Sequence, residues 1–232
     1  MAGVKAMEFD LAQVPLREVN RYLHRDALAA GVSQVRILNP DGAHSIASGL
    51  ASPFDVEIDG HVGYYVGGMN QQARITVRGN AGPGAGENMM SGMIRIEGFA
   101  STGAGASAHG GCLVVHGDAS LRCGISLKGG DIVVGGSVGS FSAFMAQAGR
   151  IVICGDASDA LGDSLYEAVI YVRGKVRSLG ADARFEPMQA ADHAAVAELL
   201  GVAGFRHDPK EFQRIASAKS LYHWNADANQ EY

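Results

Sequence analysis

The sequence predicts an all-β chain, a right-handed parallel β-helix (solenoid) of about seven nineteen-residue coils, closed at both ends by short helical segments. Three observations predict it. A glycine recurs at Gly60, Gly79, Gly98, Gly117, Gly136, Gly155 and Gly174, and every interval is nineteen residues. Branched apolar residues stand four and two places before each one, as in Val56 and Ile58, Ile75 and Val77, and Leu113 and Val115. Two places after it stand Val62, Ala81, Ala100, Ala119, Val138, Ala157 and Val176. Alternate β-branched residues mark a strand with one buried face. The glycine marks a backbone turn that a Cβ would resist. A fixed period of this length signals a solenoid. Leucine-rich repeats need leucines and an asparagine at offsets missing here, and left-handed hexapeptide helices need a period divisible by six, so the right-handed β-helix remains.

The N-terminal cap is expected over 1–55. In PLREVNRYLHRDALAAG, Leu16, Val19, Leu23, Ala27 and Leu28 make one helical face that Gly31 ends. VRILNPDGAHSIA then reads as a hairpin turning at Pro40, Asp41 and Gly42.

The β-helix is expected over 56–182, with coils stacked about 4.8 Å apart. Asp59, Arg78, Glu97 and His116 stand one place before successive glycines, so their charges fall on neighbouring outward positions. Three places before the later glycines, Val114, Val133, Val152 and Tyr171 form an apolar column on the outside. Such a column needs a cover, either a terminal helix of this chain or a partner; we expect a partner or a second copy of the chain, because the column starts only halfway along the rod.

After Gly180 the period dissolves into a helical extension expected over 183–232. MQAADHAAVAELLG and DPKEFQRIAS read as helices, the second with Asp208 as N-cap, Pro209 in its first turn and Glu211 completing a capping box. Both flanks cap the open ends of the solenoid.

Composition narrows the function. With 19 basic and 24 acidic residues the net charge is -5, which argues against nucleic acid or an anionic membrane as partner. No apolar run is long enough to span a membrane and no signal peptide opens the chain, so a cytoplasmic location is expected. Cys112, Cys123 and Cys154 fall at unrelated phases of the repeat and match no zinc or iron–sulfur spacing, so reduced, packed thiols are expected. GNAGPGAGE lacks the strand and helix of a dinucleotide site, and GDS at Gly162–Ser164 is not a nucleophile elbow. Asp118 and Asp156 share a phase, but Ser137 interrupts the carboxylate row that a sugar-cleaving β-helix would display. No catalytic, cofactor-binding or metal-binding residue is expected.

Each coil resembles the G-x-x-G-x-x-x-G repeat of the C-terminal (GXGXG) β-helix domain of the glutamate synthase large subunit. It stands here as Gly60, Gly63, Gly67 and as Gly79, Gly82, Gly86, while Ser101, Ser120, Ser158 and Arg177 fill the middle place in other coils. GHVGYYVGGMNQQA, GENMMSG, RCGISLKGG, SAFMAQAG, LGDSLYEAVIYVRG and the tail EFQRIASAKSLYHWN are similar to a narrower group, the stand-alone glutamate-synthase-like subunits of N-methylglutamate synthase (methylamine–glutamate N-methyltransferase). The C subunit of formylmethanofuran dehydrogenase is a more distant likeness.

The resemblance implies a non-catalytic strut within an enzyme complex. It would set an amidotransferase-like subunit against a flavin-containing, glutamate-synthase-like subunit, with FMN and an iron–sulfur cluster in that partner and no cofactor in this chain. The complex would join methylamine to glutamate with release of ammonia. The same scaffold in a glutamate synthase or another amidotransferase complex is the alternative, and a polysaccharide-active β-helix a third. On the loop side the repeat dictates least, so Glu87, Asn88, Met90, Arg122, Lys128, Phe144, Gln147 and Tyr166 are the expected partner contacts there. Met89 and Leu165 are equally suited to internal packing.

Overall fold

The computed structural model of the protein describes residues 5–219. Residues 1–4 and 220–232, with the SLYHWN part of the tail, lie outside the described residues. In chain order the elements are β1 (Lys5–Asp10), α1 (Leu16–Arg25), β2 (Val32–Leu38), β3 (Asp55–Asp59), β4 (Arg74–Val77), β5 (Met93–Ile96), β6 (Cys112–Val115), β7 (Lys128–Val134), β8 (Ala148–Ile153) and β9 (Val169–Val172). They are followed by β10 (Ala183–Glu186), α2 (Ala190–Ala203), a 3-10 turn over Pro209–Glu211 and β11 (Gln213–Ser217). All eleven strands make one sheet, in the order β1 to β9, then β11, then β10.

Neighbouring strands from β1 to β9 pair in parallel, and from β3 onward the core partners are nineteen residues apart, as in Ile75↔Ile94↔Leu113↔Ile132↔Ile151↔Ile170, with a register shift only after Lys128↔Ala148. This is the expected parallel β-solenoid. A second column of bridges runs Val62↔Ala81↔Ala100↔Ala119↔Val138↔Ala157↔Val176. The alanines in it are at most 2% exposed, so the small residue after each glycine does face inward. Between the two columns lies the core of stacked Ile, Val, Leu and Ala.

The glycines supply room rather than a turn. Among the seven period glycines only Gly60 has a left-handed φ (+135°), which corrects the turn role expected for the others. A Cβ on Gly155 would sit 2.6 Å from the Gly136 carbonyl, and one on Gly79 would sit 2.6 Å from the oxygen of Gly60. From Gly98 to Gly174 each period glycine donates its N–H to the carbonyl of the one before, at 2.8–3.0 Å. Left-handed backbone appears seven places further on, at Gly67, Gly86, Gly105, Gly124 and Gly162 (φ +61° to +69°). There a non-glycine residue is strained, yet the chain tolerates Ala143 at φ +58°.

The flanks depart from expectation at three places. VRILNPDGAHSIA is no hairpin: β2 pairs in parallel with β1 and with β3, Val35 facing Val56 and Ile37 facing Ile58. It is an extra rung whose coil spans 21 residues (56 − 35). Its buried Val32, Val35 and Ile37 complete the core. Helix α1 ends at Arg25, short of Gly31, so Val19, Leu23 and Ala27 are buried while Leu28 is 63% exposed. DPKEFQRIAS is a single 3-10 turn and then β11, antiparallel to both β9 and β10. Asp208 caps that turn by accepting from the Lys210 N–H, but Glu211 pairs with Arg173 at 3.4 Å instead of closing a box. The expected helix at MQAADHAAVAELLG is present as α2, ended by Gly204 at φ +83°.

The spacing of the coils predicts opposite effects for two glycine substitutions. Gly155→Ala drives a Cβ into backbone that cannot move aside, and should cost about 1–3 kcal/mol. Gly201→Ala on the exposed side of α2 meets nothing within 4 Å and should stabilise by about 0.5–1 kcal/mol. Denaturant unfolding of the two variants measures both.

Candidate functional site

The coil residue that follows each period glycine shows where the polar chemistry goes. With the glycine N–H given to the preceding coil, the next N–H needs an acceptor. His61 Nδ1 accepts from the Asn80 N–H at 3.0 Å, and Asn80 Oδ1 from the Phe99 N–H at 3.0 Å. Asp118 Oδ1 accepts from Ser137 N–H at 2.7 Å, Ser137 Oγ from Asp156 N–H at 3.0 Å, and Asp156 Oδ1 from Lys175 N–H at 2.7 Å. Asp118, Ser137 and Asp156, which looked like an interrupted catalytic row, are therefore one side-chain-to-backbone ladder.

The strand face is divided between two environments. Over β3 to β5 it carries paired charges: Arg78 bridges Glu57 and Glu97, the latter at 3.0 Å, and Arg36 donates from Nε to Asp59 at 2.8 Å. A groove of about 470 Å³ lies among Glu8, Arg36, Asp55, Glu57, Arg74 and Thr76. Over β6 to β9 the face is apolar and covered. Val114, Val133 and Val152 are fully buried and Tyr171 is 3% exposed, packed with Val196, Leu199, Leu200, Ala203 and Phe212. The column is thus sealed by α2 of the same chain, so these four residues are core and not contacts for a partner. Spacing explains the fit: Val196, Leu199, Leu200 and Ala203 recur at three, four and seven residues and form one helical face.

Helix α2 is fastened at both ends. At its start Asp192 accepts from the Tyr171 hydroxyl (2.7 Å), from Arg214 Nε (3.2 Å) and from the Gln189 N–H (2.9 Å). At its end Arg95 donates to the carbonyls of Ala203 and Val202 at 2.8 and 2.9 Å. Midway, Arg150 joins Asp131 of β7 at 2.6 Å to Glu198 of α2 at 3.4 Å.

The loop side is different again. Residues there alternate between left- and right-handed backbone, with positive φ at Tyr65, Gly67 and Met69, and again at Phe141, Ala143 and Met145. Of the expected contacts, Met90, Arg122, Lys128 and Gln147 are exposed, and Glu87, Asn88, Phe144 and Tyr166 half-buried. Met89 and Leu165 are buried, as internal packing requires. The structure adds residues the sequence did not single out: Tyr64, Tyr65, Met69, Leu121, Phe141 and Met145, each between 43% and 57% exposed. Phe141 meets Phe144 edge-on at 6.1 Å, and Tyr65 meets Tyr64 edge-on at 6.4 Å. One signal was present in the sequence. The segments 61–72, 99–111 and 137–149 contain no Asp, Glu, Lys or Arg. An exposed apolar surface nearly without charge is suited to protein contact.

Chemical groups do not converge. Among the described residues no three of His, Cys, Asp or Glu are placed to hold a metal ion. Burial pushes the Cys123 thiol up to about 12 and those of Cys112 and Cys154 up to about 11. Raised thiols are poor nucleophiles and poor metal ligands. Among the described residues no helix is long and apolar enough to cross a membrane.

The chain is 53% identical over 224 residues to Protein GlxC of Rhizobium meliloti (strain 1021), a match covering 96% of this chain and 98% of that one. No protein-family model matches. The chain belongs to the GlxC family.

Two measurements follow from this geometry. Leu199→Ala, which empties the contact of α2 with the valine column, should destabilise by about 2–5 kcal/mol in thermal or denaturant unfolding. At a mildly alkaline pH of about 8, the ordinary range for a free thiol, none of the three cysteines should react promptly with a thiol reagent, and all should react once the chain is unfolded.

Proposed function

We propose that this member of the GlxC family is a non-catalytic structural subunit of a glutamate-synthase-like complex, an N-methylglutamate synthase in the narrower reading. It would act as a stiff strut that sets an amidotransferase-like subunit against a flavin- and iron–sulfur-containing subunit, so that methylamine and glutamate yield N-methylglutamate. The observation that carries the reading is the division of labour on the surface. The polar columns are consumed in coil-to-coil ladders, and the strand face is either ion-paired or sealed by α2. The loop face instead exposes Tyr64, Tyr65, Met90, Leu121, Phe141 and Met145 on nearly consecutive coils. A continuous parallel ladder from β1 to β9 makes such a face rigid, so a partner bound at one coil is held at a fixed distance from a partner bound at another. The repeat quoted above and the near full-length likeness to Protein GlxC support the glutamate-synthase relationship.

Affinity capture of the tagged chain from its host grown on methylamine tests the reading. An amidotransferase-like and a flavin-containing subunit should co-purify in fixed ratio; turnover of methylamine and glutamate by the chain alone would overturn it. The loop face is tested by Phe141→Asn with Met145→Asn. Asparagine is at home at their φ of +57° and +55°, so the isolated rod should unfold as the parent does. Loss of two apolar anchors should weaken capture by about tenfold or more.

A further inference from the structure

The C-terminal end of α2 hangs on one guanidinium, and that guanidinium is shared. Arg95 Nη2 donates to the Val202 carbonyl at 2.9 Å, and Nη1 to the Ala203 carbonyl at 2.8 Å. The same Nη1 lies 2.7 Å from His116 Nε2. Arginine has donors only, so the imidazole nitrogen facing it must be the unprotonated one. The His116 and Phe205 rings meet edge-to-face just past the end of α2, with ring centres 5.2 Å apart. Below that helix end lies the buried apolar column of Val114, Val133, Val152 and Tyr171.

We propose that His116 is a pH-sensitive latch on α2: neutral, it holds Arg95 under the helix end, and protonated, it repels Arg95 and frees that end from the apolar column. A protonated imidazole would place two donors and two positive charges against each other at hydrogen-bond distance. Burial first, and the Arg95 charge second, hold the His116 proton affinity below its ordinary value of 6.5, while Glu97 pulls the other way. The sign follows from linkage. With the latched-state value depressed, the released state binds the proton more readily. The latch is therefore at full strength above pH 6.5, and weakens as the pH falls from there through the lower latched value.

The other groups around α2 do not supply this behaviour. Glu97 is held by Arg78 at 3.0 Å. Glu198 pairs with Arg150, and Asp192 with Arg214. His193 Nδ1 meets the Pro209 carbonyl at 3.2 Å, a contact that a protonated ring keeps as donor. His207 stands beyond Phe205, with ring centres 6.5 Å apart.

Amide hydrogen exchange on the whole chain, corrected for intrinsic rates, at roughly pH 7.5 and pH 5.5 on either side of the ordinary histidine value, tests the latch. Protection of the last turn of α2 should fall at the lower pH while that of β3 to β5 holds. His116→Gln keeps an acceptor near Nε2 and cannot titrate, so it should abolish the loss. His207→Gln should leave it as in the parent chain. Unchanged protection of α2 in the parent chain, or an equal loss in His116→Gln, would overturn the proposal. As a second arm, Arg95→Met should raise the His116 midpoint followed by NMR; an unmoved or lowered midpoint would also overturn it.

Discussion

The structure depends on one close approach, the contact of each period glycine with the backbone of the coil before it. A Cβ on Gly155 would lie 2.6 Å from the carbonyl of Gly136, and the glycine N–H instead bonds that carbonyl at 2.8 Å. Holding that contact fixes the rise between coils at the sheet spacing of about 4.8 Å. It also fixes the length of each coil, because an added residue would shift every inward side chain to the wrong face. The isoleucine column, the alanine column and the Asp118–Ser137–Asp156 ladder are all consequences of keeping one register through seven coils.

A register of this kind also decides what the surface is free to do. Side chains repeated along the axis stack on their own kind or on complements, as Glu57, Arg78 and Glu97 do. The valine column could not remain bare beside them, and α2 covers it, anchored by Asp192 at one end and Arg95 at the other. The Asp118, Ser137 and Asp156 side chains and the Glu57–Arg78–Glu97 stack are committed to holding neighbouring coils together. The loop side groups exposed aromatic and methionine side chains with few charges nearby, a composition enriched at protein contacts.

Much of this was legible in the residues. An uninterrupted period needs no tertiary information, so Gly60 to Gly174 and their flanking columns identified β3 to β9 with the correct inward phase. The rung at β2 was hidden because its coil is 21 residues long and its NPDG turn mimics a hairpin. The strand β11 was hidden behind a genuine cap at Asp208, whose turn stops after Glu211; antiparallel pairing with β9 then overrides the local signal. The valine column was visible, but its cover was not. Alanines at Ala190, Ala191, Ala194, Ala195 and Ala197 blur the narrow face of α2 formed by Val196, Leu199 and Leu200. On the loop side, Met90 and Arg122 stand where neighbouring coils differ and are exposed, while the equally exposed Tyr65 and Phe141 carry no such mark in the repeat. The better signal was the lack of charge across whole loops.

A fold built as one coil repeated in register is tested most directly by duplicating a coil. Doubling Arg74 to Gly92 in tandem inserts one complete coil ahead of β5, away from α2 and its Arg95 clamp. Thermal unfolding of this variant should be a single transition at or near the parent temperature, because the added coil brings its own core residues and ladders. The same insertion shortened by one residue should unfold at a much lower temperature, since every strand after it must slip or bulge. Equal unfolding temperatures for the two insertions would contradict the account, for the nineteen-residue register would then not be what holds the rod together.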